Sequence, residues 1–205
     1  MNRRQFFTTG SIAAGGLLAR TSAKATAQRS STGVAQRYNI GVCDCMILKR
    51  QKLGAFRRTA EIGADGVELD MGGLGDRVTF DSKLHDPVER KAFLDEAARY
   101  NLEICSMAMS GFYAQSFAER ETVPLMVRDT INTMALMGTK TAFLPLGVRG
   151  DLVQYPELRP LIVKRLQEVA PMAEAAGVII GLETALDAAG EVQLLEDVGS
   201  PSVRI

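Results

Sequence analysis

The chain has 205 residues, of which 46% are hydrophobic and 23% charged, and this composition is typical of a globular protein with one core. Its 24 basic residues are balanced by 24 acidic ones. Without a clustered basic surplus, the composition speaks against a nucleic-acid-binding protein.

The first 27 residues have the pattern of a twin-arginine export signal. Arg3 and Arg4 precede a weakly apolar stretch at 8–19, and a small-residue cleavage pattern, Ala-Thr-Ala, ends at Ala27. The apolar stretch is shorter than the ~20 residues that a membrane span needs, and no later segment is long and apolar enough. We therefore expect a signal peptide at 1–27, a linker at 28–37, and an exported or periplasmic mature protein, mildly acidic and without membrane contact. A disordered basic tail is the alternative.

After the linker, predicted strands and helices alternate. Strands are expected at 38–43, 66–70, 102–109, 139–147, 178–184 and 202–205, and helices at about 52–62, from an N-cap at Asp86 onward, at 123–137, 161–176 and 191–198. Strict alternation predicts an α/β fold with a parallel sheet. An open doubly wound sheet and a closed barrel both satisfy this pattern, but the glycine-rich phosphate turn that an open sheet carries after strand one is missing.

The preferred interpretation is a partial (β/α)8 TIM barrel of about five and a half βα units. A complete barrel needs ~250 residues, whereas this sequence stops within the predicted sixth strand. We expect a truncated chain whose residues 38–205 form an incomplete TIM-barrel domain.

The apolar run 178–184 has no helical period and predicts a strand that is buried on both faces. The first candidate site residue is Glu183, at the end of this run. Parallel α/β folds place their chemistry at the carboxyl ends of strands. The alternative is a glutamate that faces solvent or caps the next helix. Glu68, expected at the tip of strand two, is a weaker candidate for substrate binding, and Asp70 and Arg149, expected on loops, are weaker still.

Several other residues have more ordinary interpretations. Cys43 and Cys45 lie two apart on a predicted strand and are interpreted as small core residues rather than as a metal or redox site. His85 is interpreted as a surface loop residue. The glycines at 72–75 lack the Lys-Ser/Thr of a phosphate-binding loop and predict a loop over the barrel mouth.

Three segments in order resemble the xylose-isomerase-like TIM-barrel superfamily. They are GADGVEL at 63–69, GVIIGLET at 177–184, and Leu194-Leu195 followed by VGSPSVRI at 198–205. The superfamily includes sugar and sugar-phosphate isomerases and epimerases. The resemblance implies a divalent metal (Mn, Mg, Co or Zn) at the carboxyl mouth of the barrel, with Glu183 as the ligand from strand five and the remaining ligands on later strands beyond Ile205.

The resemblance also implies a function, a metal-assisted proton or hydride shift on an open-chain sugar or sugar phosphate. Glu183 would serve as ligand and catalytic carboxylate, and Glu68 would bind substrate hydroxyls. Because three of four ligands are not in this sequence, we expect the chain as given to be inactive. The alternative is a non-catalytic periplasmic sugar-binding or structural barrel protein. An endonuclease of the same superfamily is disfavoured by the lack of basic charge, and the oligomeric state is left open.

Overall fold

The computed structural model describes residues 37–205, which carry six strands and five α-helices. The predicted signal peptide at 1–27, and the linker up to residue 36, lie outside the described residues and stay predictions. The strands are β1 (Gly41–Cys43), β2 (Gly66–Asp70), β3 (Glu103–Ala108), β4 (Thr141–Pro145), β5 (Ile179–Glu183) and β6 (Val203–Arg204). The helices are α1 (Gly54–Ile62), α2 (Pro87–Tyr100), α3 (Val123–Met137), α4 (Arg159–Ala176) and α5 (Ala188–Val198).

The six strands form one parallel sheet in sequential order, β1-β2-β3-β4-β5-β6, so each strand pairs with the next one along the chain. A doubly wound sheet would reverse its strand order partway through. The sequential order is that of a barrel wall, and the prediction of an α/β partial TIM barrel with five βα units and a sixth strand is confirmed.

Local sequence explains most helix boundaries. The Asp86 side chain accepts a hydrogen bond from the backbone N–H of Val88, and Pro87 occupies the first turn, so α2 begins as predicted. Helix α4 begins at Arg159, two residues before the predicted start, because Pro160 is well suited to a first helical turn. Gly177, at φ 62°, ends α4 and donates its N–H to the last turn of that helix.

The helices cover only one face of the sheet. Val67 and Leu69 of β2 and Ile180 and Leu182 of β5 are buried in the core on this face. Side chains alternate along a strand, so Glu183 and its alternate neighbours on β5 point to the other side, where they are exposed or half-buried. The expectation that this strand is buried on both faces is therefore wrong.

We call the uncovered side of the sheet the open face. Parallel register places Cys43 of β1 beside Glu68 of β2, and Glu68 beside Ser106 of β3. Pro145 of β4 is likewise beside Glu183 of β5. The open face thus collects polar and sulfur-containing side chains from several strands. No helix within residues 37–205 is long and apolar enough to cross a membrane.

Candidate active site at the carboxyl edge of the sheet

Glu183 is the last residue of β5, at the carboxyl edge of the sheet and on the open face. Its carboxylate accepts a hydrogen bond from the Tyr113 hydroxyl, which comes from the short 3-10 helix Ser110–Tyr113 after β3. Asp187, and not Glu183, caps α5 by accepting from the N–H of Gly190. Glu183 therefore lies at the end of the strand, as predicted. It is exposed, bonds to the phenol of Tyr113 and does not cap the next helix.

Tyr113 is fixed against the sheet by its ring. The ring lies 6.4 Å from that of Phe143, at an interplanar angle of 48°. Partial burial, followed by the hydrogen bond and negative charge of Glu183, raises the pKa of Tyr113 above its usual range. The phenol therefore stays protonated and acts as a donor to the carboxylate at physiological pH.

Glu68 is the middle residue of β2, whose bounds are those predicted, so the expectation that Glu68 lies at the strand tip is wrong. The strand continues to Asp70, which pairs with Ala108 of β3. Glu68 is half-buried on the open face, where the Ser106 hydroxyl donates to its Oε2 at 2.6 Å. The carboxylate is held in one orientation by this bond, below the edge that carries Glu183.

Asp70 is the last residue of β2 and is fully buried, contrary to the expectation that it lies on a loop. Its Oδ1 accepts from the N–H of Gly72 at 2.6 Å and lies 3.3 Å from Nε of Arg50. Burial raises the pKa of Asp70, while the Arg50 charge and the backbone donor of Gly72 oppose the shift.

A second buried carboxylate, that of Asp44, contacts the backbone of Asp70. Its two oxygens accept the backbone N–H groups of Gln51, at 2.8 Å, and Asp70, at 3.2 Å. Burial raises the pKa of Asp44 from 3.8 to about 7, although both N–H bonds oppose the rise. Together Asp44 and Asp70 fix the turn after β1 against the end of β2. Sequence reasoning missed Asp44, although its position directly after a strand end was a usable signal.

The described residues do not make a complete divalent-metal site around Glu183. Among residues 37–205, the side chains that come together as possible ligands are Cys43, Asp44 and Cys45, all within 4.8 Å of one another, and Glu183 is not in this group. Hard divalent ions take about six oxygen ligands. Glu183 is the carboxylate that β5 itself presents at this edge.

Two other sequence candidates lie in different surroundings. Arg149, in the loop after β4, lines a surface cavity together with Glu119 and Tyr155. His85 is exposed and its Nε2 lies 2.9 Å from Oδ2 of Asp129 on α3, so its interpretation as a surface residue is confirmed. Neither residue is among the side chains that contact Glu183 or Glu68 above.

Comparison with known proteins gives matches in sequence and in fold. A family model described as "Xylose isomerase-like TIM barrel" matches residues 56–205. A 2-epi-5-epi-valiolone 7-phosphate 2-epimerase from Actinoplanes sp. is 27% identical over 151 residues, which cover 74% of this chain and 54% of the relative. The chain thus spans about half the length of that curated relative.

Two solved structures illustrate the fold match. The 3-keto-D-glucoside 4-epimerase from E. coli superposes with a TM-score of 0.60 at 16% identity, covering 82% of this chain and 66% of that one. A xylose isomerase-like TIM barrel protein from Mycobacterium smegmatis, in complex with magnesium, gives a TM-score of 0.55 at 17% identity, covering 74% and 54%. At these identities the likeness shows the fold alone.

Proposed function

The chain belongs to the xylose isomerase-like TIM-barrel family, and we propose that its open face binds an open-chain sugar or sugar phosphate and moves a proton beside the carbonyl group. The observation that carries the proposal is the position of Glu183, at the carboxyl edge of β5 with the Tyr113 hydroxyl bonded to it. Enzymes on this type of fold place their reactive groups at that edge. Two of the similar proteins are epimerases by name.

Glu183 is proposed as the ligand that this chain contributes to a divalent metal, and as a carboxylate that exchanges a proton with substrate. A bound metal would supply polarisation of the sugar carbonyl, and the magnesium in one similar structure supports its presence. The Tyr113 hydroxyl holds one carboxylate oxygen of Glu183, so the group is oriented before substrate arrives.

Glu68 is proposed as a substrate-binding residue. Its carboxylate faces the open side of the sheet and is already held by Ser106. A carboxylate accepts several hydrogen bonds at once, so Glu68 has remaining capacity for sugar hydroxyls. A sugar lying across the open face would then be contacted from β2 and β5.

Solvent deuterium exchange tests this function. The purified chain, with both termini checked by mass spectrometry, is incubated in D₂O with Mn²⁺ or Mg²⁺ and a set of ketoses and ketose phosphates, and NMR follows deuterium entering the carbon beside the carbonyl. An inactive chain, as expected from the missing ligands, would show no exchange. The proposed function predicts exchange with the wild type, a fall of at least about tenfold in Glu183→Gln, and no change in Glu196→Gln, an exposed glutamate on α5. Equal exchange in the two variants would refute the role of Glu183.

A second candidate function is sugar binding without turnover. It is favoured by one observation, that Glu183 joins no group of three possible metal ligands among residues 37–205. Calorimetric binding of a sugar that shows no deuterium exchange, with or without metal, would support this candidate over the enzyme.

We also propose export through the twin-arginine route, on the sequence pattern of residues 1–27 alone. Replacement of Arg3 and Arg4 by lysine keeps the charge but removes the paired arginines. The variant should accumulate unprocessed in the cytoplasm, whereas the wild type should be recovered cleaved from the periplasm. Equal processing of both would refute the proposal.

A further inference from the structure

The turn after β1 brings two thiols into contact. Strand β1 ends at Cys43, and the chain turns at once, with the N–H groups of Met46 and Ile47 directed to the Cys43 carbonyl at 3.2 and 3.4 Å. The Sγ atoms of Cys43 and Cys45 lie 3.2 Å apart, and both residues are half-buried. Interpretation of both cysteines as core residues on one strand is therefore wrong, because Cys45 lies in the turn after β1 and both side chains are only half-buried.

The surroundings of the two thiols differ. Cys43 is next to the Glu68 carboxylate on the open face, and burial, then the Cys45 thiol and Glu68, raise the pKa of Cys43 above its usual range. Cys45 interacts in addition with the Arg50 guanidinium, a positively charged group. A carboxylate lies beside one sulfur, and a cation lies beside the other.

A metal site is a poorer fit to the same atoms. Asp44 is the third member of this group of possible ligands, but its two oxygens already accept the N–H groups of Gln51 and Asp70. A soft metal such as zinc needs four ligands in tetrahedral geometry. The pair of thiols offers two.

We propose that Cys43 and Cys45 form a reversible intramolecular disulfide by exchange with low-molecular-weight disulfides such as oxidised glutathione. The Cys45 thiolate attacks one sulfur of the glutathione disulfide and releases one glutathione thiolate. The Cys43 thiol then loses its proton to water and attacks the Cys45 sulfur, and the second glutathione thiolate leaves. The two thiolates take up the two protons, so two protein thiols are oxidised and one disulfide reagent is reduced to two thiols.

The required movement is small. The two sulfur atoms must approach from 3.2 Å to about 2.05 Å, and both side chains rotate about single bonds. The disulfide would close the turn that carries Asp44 and would remove the thiol neighbour of Glu68. Oxidation of the two thiols would thus change the side chains that surround Glu68 on the open face. This change does not depend on whether the open face catalyses a reaction on a sugar.

Peptide mass mapping tests the proposal on the full wild-type chain. The protein is equilibrated with mixtures of reduced and oxidised glutathione, quenched with acid, alkylated and digested with trypsin. Cleavage after Arg37 and Lys49 places both cysteines in one peptide, 38–49, while Cys105 lies in a separate peptide, 100–120. We expect 38–49 to become unreactive to the alkylating agent and about 2 Da lighter than its reduced form, and to be restored by dithiothreitol.

Two variants serve as controls. Cys105→Ser should retain the change in peptide 38–49, whereas Cys45→Ser should lose it and leave Cys43 open to alkylation or to a mixed disulfide with glutathione. The proposal is overturned if 38–49 stays fully alkylated in oxidised glutathione, or if the cysteines pair only between molecules. It is equally overturned if a stoichiometric zinc ion protects both thiols until a chelator removes it.

Discussion

Replacement of Asp44 by asparagine should remove a large pH dependence of folding stability. The unfolded chain loses the Asp44 proton near pH 3.8, whereas burial keeps it on the folded protein until about pH 7. A folded pKa above the unfolded one gives stability that is complete below pH 3.8 and is lost as the pH rises through 7. The wild type should therefore lose stability across this interval, relative to a variant that cannot ionise there.

The size of the expected change in folding stability follows from the difference between the unfolded and folded pKa values of Asp44. One pH unit corresponds to about 1.4 kcal/mol, so the range from 3.8 to about 7 amounts to about 4 kcal/mol. Asp70 acts in the same direction on the stability of both proteins, because burial also raises its pKa. Asparagine keeps one acceptor for the two backbone donors, which lowers the variant's stability by an amount that does not depend on pH.

Urea denaturation at pH 4, 5.5 and 7.5 measures the difference in free energy of unfolding between wild type and Asp44→Asn. This difference should shift in favour of the variant by about 3 to 4 kcal/mol from the lowest to the highest pH. Asp95→Asn, on the exposed face of α2, is the control and should shift by less than about 1 kcal/mol. A difference that is constant, or that favours the wild type more at high pH, would show that the two N–H bonds keep Asp44 ionised in the folded protein.

Two further substitutions probe the carboxyl edge. Tyr113→Phe removes the hydrogen-bond donor to Glu183 and should slow deuterium exchange into the sugar. It should change the free energy of unfolding by no more than about 1 kcal/mol, because water replaces the phenol at the exposed carboxylate. Unchanged exchange would contradict the orienting role of Tyr113. Gly72→Ala places a Cβ 2.3 Å from the Asp81 carbonyl oxygen at φ 97° and should lower the urea-measured stability by about 2 to 3 kcal/mol. Gly73→Ala meets nothing within 4 Å and should change it by less than about 0.5 kcal/mol; equal losses in both would contradict the steric explanation.

The elements that the sequence predicted well have strong local signals. Strand β2 and helix α3 have the predicted bounds. Strand β2 begins at Gly66 and Gly138 ends α3, and the apolar residues of each element follow the period of a strand or of a helix. The position of Glu183 at a strand end followed from a short apolar run and from the rule that parallel sheets present their carboxyl ends at one edge.

Two contacts that the sequence did not predict form where regular secondary structure stops. Tyr113 reaches Glu183 across 70 positions, which depends on where a 3-10 helix turns after β3. Contact between Cys43 and Cys45 depends on the tight turn that follows the end of β1 at Cys43. Helical or strand periodicity contains no information on either, since both arise where regular structure stops.

Paramagnetic broadening by Mn²⁺ in an NMR spectrum of the ¹⁵N-labelled protein tests the central claim most directly, namely that the ligand site lies at the β5 edge on the open face. Substoichiometric Mn²⁺ should broaden the backbone signals of Glu183, Tyr113 and Leu146, whose N–H donates to the Glu183 carbonyl at 3.0 Å, and Glu183→Gln should abolish the broadening. Broadening centred instead on the opposite edge, where Asp65 and Glu103 line a cavity, and unchanged in that variant, would contradict the account.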